Sequence, residues 1–93
     1  MIYELAFLEI ALKEWRKLDE NTRGQFKKKL TEWLLTPHVP SSRLSGGTNR
    51  YKIKLRSVGY RLVYEVRDAE LIVLVVAIGR RDRDAVYKAA EKR

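Results

Sequence analysis

Between Tyr51 and Arg56 the sequence alternates without a break: Tyr51, Ile53 and Leu55 are apolar, while Lys52, Lys54 and Arg56 are cationic. A period of two is that of a β-strand, whose successive side chains point to opposite faces, so the segment has one greasy face and one positive face. Ser57-Val58-Gly59 supplies a tight turn. Tyr60 to Arg67 then continues with Tyr60, Leu62, Tyr64 and Val66 on one side and Arg61, Val63, Glu65 and Arg67 on the other, which predicts a hairpin. After the turn Asp68-Ala69-Glu70, the stretch Leu71 to Ile78 is apolar on both faces, as expected for a central strand covered from two sides.

Helical spacing governs the N-terminal part. Residues 2 to 7 are rich in strand formers and predict an opening strand, although nothing in the pattern fixes where it joins the sheet. Leu8, Leu12, Trp15 and Leu18 recur at three and four, with Lys13, Glu14, Arg16 and Lys17 on the other face, the signature of an amphipathic helix. Asp19-Glu20-Asn21 interrupts it. A second helix is predicted from about Thr22, with Phe26, Leu30, Trp33 and Leu34 on one stripe and Lys27, Lys28 and Lys29 outside; Thr36-Pro37 ends it. Pro37 to Asn49, with two prolines, three serines and Gly46-Gly47, reads as an irregular loop, and Ala85 to Arg93 as a short last helix. The expected fold is α/β of the α+β sandwich kind. A mainly antiparallel sheet of about four strands packs on an N-terminal helical hairpin, with a short C-terminal helix, and residues 1–93 form a single domain.

Charge narrows the partners. Twenty Lys and Arg against 12 Asp and Glu leave a net charge of +8, which favours polyanions such as nucleic acid, a ribosome, an acidic protein or an anionic membrane. The absence of cysteine excludes disulfides, thiolate catalysis and cysteine-built zinc sites, and suits a reducing cytoplasm. The longest apolar run, eight residues, is far short of the roughly 20 needed to cross a bilayer as a helix, and the N-terminus lacks the features of a signal peptide, so a cytoplasmic protein without a membrane partner is expected. No Gly-rich phosphate loop, Cys/His cluster or nucleophile elbow is present, and the acids are scattered, so neither a metal nor a cofactor is expected.

The chemistry must then come from the cations. With the apolar face buried, Lys52, Lys54, Arg56 and Arg61 share the open face, and Arg80, Arg81, Arg83 and Tyr87 follow the next strand toward the same region. Such cations can merely solubilise a sheet or guard its edge. Their crowding argues for function, because like charges repel and a chain selected only for stability would intersperse acids. Cutting RNA without a metal needs a base for the 2′-hydroxyl, positive charge around the phosphoryl oxygens and a proton for the leaving 5′-oxygen. The one histidine, His38, sits between two prolines far from these strands and reads as loop decoration, so a lysine must act as base. Neighbouring cations depress a lysine's pKa, which places Lys52 and Lys54 in suitable company, while arginine forks hold the phosphate. Tyr87 can stack on a base or simply pack the last helix.

The run Arg50-Tyr-Lys-Ile-Lys-Leu-Arg-Ser-Val-Gly-Tyr-Arg-Leu-Val-Tyr64, then Gly79-Arg-Arg-Asp-Arg83 and Val86-Tyr87, resembles the RelE toxins, and Ala11-Leu-Lys-Glu-Trp-Arg-Lys-Leu18 extends the likeness over essentially the whole chain. The resemblance implies a microbial-RNase-like fold, ribosome-dependent cleavage of messenger RNA in the 30S A site without a metal, and inhibition by a RelB-like antitoxin, including a higher-order toxin–antitoxin complex on operator DNA. It assigns Lys52 and Lys54 to substrate binding and proton abstraction, with Lys54 the better base. Arg61 is assigned to the phosphate, Arg81 to the transition state and leaving group, and Tyr87 to the nucleotide. Arg56, Arg80 and Arg83 become auxiliary contacts to RNA or the ribosome. The sibling ParE toxins, which act on DNA gyrase, share the Tyr-Arg-Leu-Val-Tyr kind of strand; the combination of Lys52, Lys54, Arg81 and Tyr87 resembles the ribonuclease branch instead. A third reading is a non-catalytic RNA- or ribosome-binding module, which would bind with steep salt dependence and never cut.

Overall fold

The computed structural model describes residues 2–45, 49–80, 82 and 85–93. Its elements are β1 (Glu4–Phe7), α1 (Glu9–Arg16), α2 (Glu20–Trp33), β2 (Arg50–Leu55), β3 (Tyr60–Arg67), β4 (Ile72–Arg80) and α3 (Ala85–Glu91), with short 3-10 turns at Pro40–Ser42 and Asp68–Glu70. The sheet runs β1-β4-β3-β2. Both β2–β3 and β3–β4 are antiparallel, and β1 lies parallel to β4, so the expected mainly antiparallel sheet is present and the first strand takes an edge. Among the described residues no helix is long and apolar enough to cross a membrane.

The N-terminal helices cover the face bearing Tyr51, Ile53, Leu55, Leu62 and Tyr64, with Phe26 and Leu30 of α2 and Ala11 of α1 fully or nearly fully buried against it. The second helix begins two residues before the sequence reading placed it. Asp19 adopts extended backbone and its carboxylate accepts from the Thr22 backbone N–H at 3.2 Å, so the polar triplet is a cap that starts the helix. Likewise the last strand starts at Ile72, because Leu71 turns the chain in the left-handed region at φ 55°, and it runs on to Arg80.

The opposite face differs from expectation at Val63. The alternation put Val63 on the open cationic side, yet it is fully buried in a second core with Val76, Ala77, Val86 and Ala90. The last helix lies over that half of the sheet. A bulge makes this possible: Val63 faces Ala77 and Tyr64 faces Val75, leaving Val76 as the extra residue of β4. Val76 and Ala77 consequently share the α3 side, and the face assignment of all later β4 residues is reversed. Gly79, on the α3 side opposite Arg61, lets the helix approach; a Cβ there would lie 2.9 Å from Val86 Cγ2.

Candidate active site

On the sheet face beside α3, β2 contributes Lys52 and Lys54 and β3 contributes Arg61, with Lys54 and Arg61 directly paired across the strands. Like charges directly opposite one another destabilise an antiparallel pair, so the placement weakens the sheet locally. Arg56, in the β2–β3 turn, joins Lys54, Leu55, Tyr60 and Arg61 around an open depression of about 290 Å³. Lys52 first, then partial desolvation, then Arg61 and Arg56 hold the Lys54 ammonium below the ordinary lysine range. More of it is therefore neutral near pH 7 than of a solvated lysine. Arg61 lies over the Tyr87 ring, its guanidinium carbon 5.3 Å from the ring centre. Tyr87 is also half-buried against the second core, so the ring packs α3 on the sheet while lying against Arg61.

The remaining predicted residues divide. Arg80, expected beside the cluster, instead pairs with Tyr60 and stacks on its ring at 5.5 Å on the face covered by the N-terminal helices, because Gly79 before it takes the α3 side, and it lies outside the lining of the depression. Arg81 and Arg83 lie outside the described residues. His38 is held between the Tyr51 hydroxyl at 2.8 Å and Asp68 at 2.7 Å, and Asp68 also accepts from Tyr3 at 2.6 Å. That network fastens the loop to the ends of the sheet and contains none of the clustered cations. Among the described residues no group of three His, Asp or Glu side chains is placed to hold a metal ion.

Two supports escaped the sequence reading. Arg50 donates to Glu65 at 3.1 Å and to the backbone carbonyl of Ala90, tying the C-terminal end of α3 to the sheet. Arg93 forms a two-pronged pair with Glu14 of α1 (2.7 and 3.2 Å) and donates to the Val76 carbonyl, while Glu14 accepts from the Ile78 N–H. These contacts close β4 at its bulge, beyond the end of β1. Residues 14 and 93 are 79 positions apart, and no local pattern can announce such a pair.

The family model described as "ParE toxin of type II toxin-antitoxin system, parDE" matches residues 5–85. The "mRNA interferase toxin RelE" of Escherichia coli (strain K12) is 53% identical over 93 residues, covering 100% of this chain and 98% of its own. The chain belongs to the RelE/ParE toxin superfamily. Within it, the full-length likeness to a protein named as an mRNA interferase puts the chain on the RelE side. A solved double mutant of Escherichia coli toxin RelE in the free state superposes with a TM-score of 0.93 at 50% identity, covering 100% of this chain and 98% of that one. The RelE toxin fold is thus the fold of this chain. The toxin in the intact Escherichia coli RelBE toxin–antitoxin complex matches with a TM-score of 0.83 at 52% identity, over 87% of this chain and 99% of that one.

Proposed function

We propose that this chain is the toxin of a type II toxin–antitoxin pair and an endoribonuclease that cuts messenger RNA in the A site of the ribosome. The observation that carries the reading is Lys54, crowded by Lys52, Arg56 and Arg61 on an open sheet face and held below the ordinary lysine range. In the reaction, neutral Lys54 takes the proton of a 2′-hydroxyl as that oxygen attacks the adjacent phosphorus. The bond to the 5′-oxygen breaks and that oxygen takes a proton from water, leaving a 2′,3′-cyclic phosphate on one fragment and a 5′-hydroxyl on the other. Lys52 and Arg61 stabilise charge gathering on the phosphoryl oxygens, and Arg81 is assigned by family resemblance to the transition state and the leaving oxygen. Tyr87 sets the nucleotide against Arg61.

The site has no strong acid/base pair, so free RNA is a poor substrate and the ribosome must supply orientation, an effect that can be very large. The cytoplasm is the compartment that this substrate requires. A RelB-like antitoxin restrains the toxin by laying an amphipathic or acidic segment on it, as the solved complex of the relative supports. Primer extension on a defined message tests the reading, with and without programmed ribosomes, beside a gyrase-dependent DNA cleavage assay. Codon-positioned cuts that require ribosomes and vanish in Lys54→Ala are the expected result. An intact message with gyrase-trapped DNA breaks would transfer the chain to the ParE activity, and silence in both assays would leave a binding module.

A further inference from the structure

The cationic cluster does not end at the sheet. A second depression, about 460 Å³, wraps from Lys52 and Lys54 past the edge strand β2 to α2, where Lys29 and Trp33 form its far wall and Ser41 and Ser42 its rim. It shares Lys54 and Arg56 with the first depression, so the two are contiguous. Among the described residues, every charged group in its lining is positive. Its volume suits a nucleotide-sized ligand. Trp33 supplies an indole that is only half-buried, and Lys29 lies over that ring with its ammonium 5.7 Å from the centre. A ring edged by lysines and hydroxyls is how proteins hold single-stranded nucleic acid: bases stack on the ring and cations follow the phosphates.

We infer that this groove is an RNA subsite next to the cut, with Trp33 as the platform for a base, Lys29 and Lys52 on the flanking phosphates, and Ser41 and Ser42 on ribose or phosphate oxygens. The inference rests on the ribonuclease reading above and extends it to a specificity-determining position. Lys29 swings off the ring when a base arrives and meets the phosphate beside it. The strand comes from the message or from ribosomal RNA, which share this chemistry.

The chain has two tryptophans, so Trp15→Phe leaves Trp33 as the sole indole reporter. In that background a 2′-O-methyl RNA oligonucleotide, which cannot be cut, should quench Trp33 and shield it from acrylamide, with an affinity that falls as salt rises. Lys29→Gln should weaken that affinity. Trp33→Leu should raise KM on programmed ribosomes about 5- to 100-fold with a smaller change in kcat, and Trp33→Phe should retain most of the binding. Because Trp33 also packs edge-on to Tyr64 at 6.1 Å, the Phe variant and exposed Lys29 keep the test valid if Leu disturbs folding. On programmed ribosomes, crosslinks from a photoreactive group at position 29 to ribosomal RNA would name ribosomal RNA as the strand, and crosslinks to the message would name the message. Ribosome-dependent cleavage with Trp33 unmoved by the oligonucleotide, no such crosslink to RNA, and unchanged KM in Lys29→Gln and Trp33→Phe, overturns this inference alone. Absence of ribosome-dependent cleavage by the parent chain overturns the ribonuclease reading and this inference with it.

Discussion

Gly79→Ala is the substitution on which fold and site can be tested together. The new Cβ would sit 2.9 Å from Val86 Cγ2, against 3.4 Å for the near limit of ordinary contact, so α3 or its valine must retreat by about half an ångström. Val86 is 5% exposed and wedged in the second core, which leaves it little room to yield. Overpacking of this kind costs roughly 1–3 kcal/mol, while replacing a glycine inside a strand by alanine returns about 0.5–1 kcal/mol. A net loss of about 1–2 kcal/mol is expected in urea unfolding. Val86→Ala alone removes two buried methyl groups and should cost roughly 2 kcal/mol. The pair should not add: with Val86 shortened, the methyl introduced at position 79 has space, and the double variant should recover about 1 kcal/mol or more of the summed loss. Tyr87 follows Val86 on the helix, so Gly79→Ala should also shift the ring from Arg61 and lower kcat/KM by about tenfold, the double variant regaining part of it. Additivity within roughly 0.3–0.5 kcal/mol would refute the close approach of α3 to β4 as the cause.

Lys52 is the first source of the depressed Lys54 pKa, so Lys52→Gln should move the rising limb of the pH–kcat/KM profile to higher pH, a shift read independently of the overall rate loss; an unmoved limb would count against Lys54 as base. Glu14→Ala strands the Arg93 guanidinium and the Ile78 N–H, and should cost about 1–3 kcal/mol in urea unfolding and speed hydrogen exchange at Ile78. Asp68 is held below the ordinary carboxylate range by the Tyr3 hydroxyl first and His38 second. Its contribution to stability is therefore complete above the unfolded-state value of about 3.9 and is lost as pH falls through the lower folded value, so Asp68→Asn should flatten the acid limb of the unfolding midpoint.

Strong local patterns made most of this molecule legible. The alternation from Tyr51 to Arg67 gave the hairpin and its cationic face, and the three-four spacing of Leu8 to Leu34 gave the helices that cover the other side. What failed to show were features that depend on non-local geometry. Val63 looked exposed because alternation assigns faces within a strand and says nothing about which distant helix descends on one of them. The bulge at Val76 is invisible in an all-apolar run, where a shift of phase leaves no mark on the pattern. Asp19-Glu20-Asn21 read as a break because cap residues and helix breakers are the same residue types. At the site, Lys52, Lys54, Arg61 and Tyr87 converge as their spacing suggested, while Trp33 was hidden by its place in the apolar stripe, where an indole at helical spacing reads as core.

The strand order also sets a schedule. β4 stands between β1 and β3, yet the ribosome makes it after every other strand, so during synthesis β1 has no partner and the sheet no centre. Closing the parallel β1–β4 pair joins residues nearly seventy positions apart, the kind of distant pairing that forms slowly. The β2–β3 hairpin can pair on its own, but α1, which packs mainly on β4, and the β3–β4 surface that seats α3 have no complete support until the middle strand is in place. The late arrival of β4 thus holds back the docking of α3, and with it the seating of Tyr87 against Arg61, until the sheet has its centre.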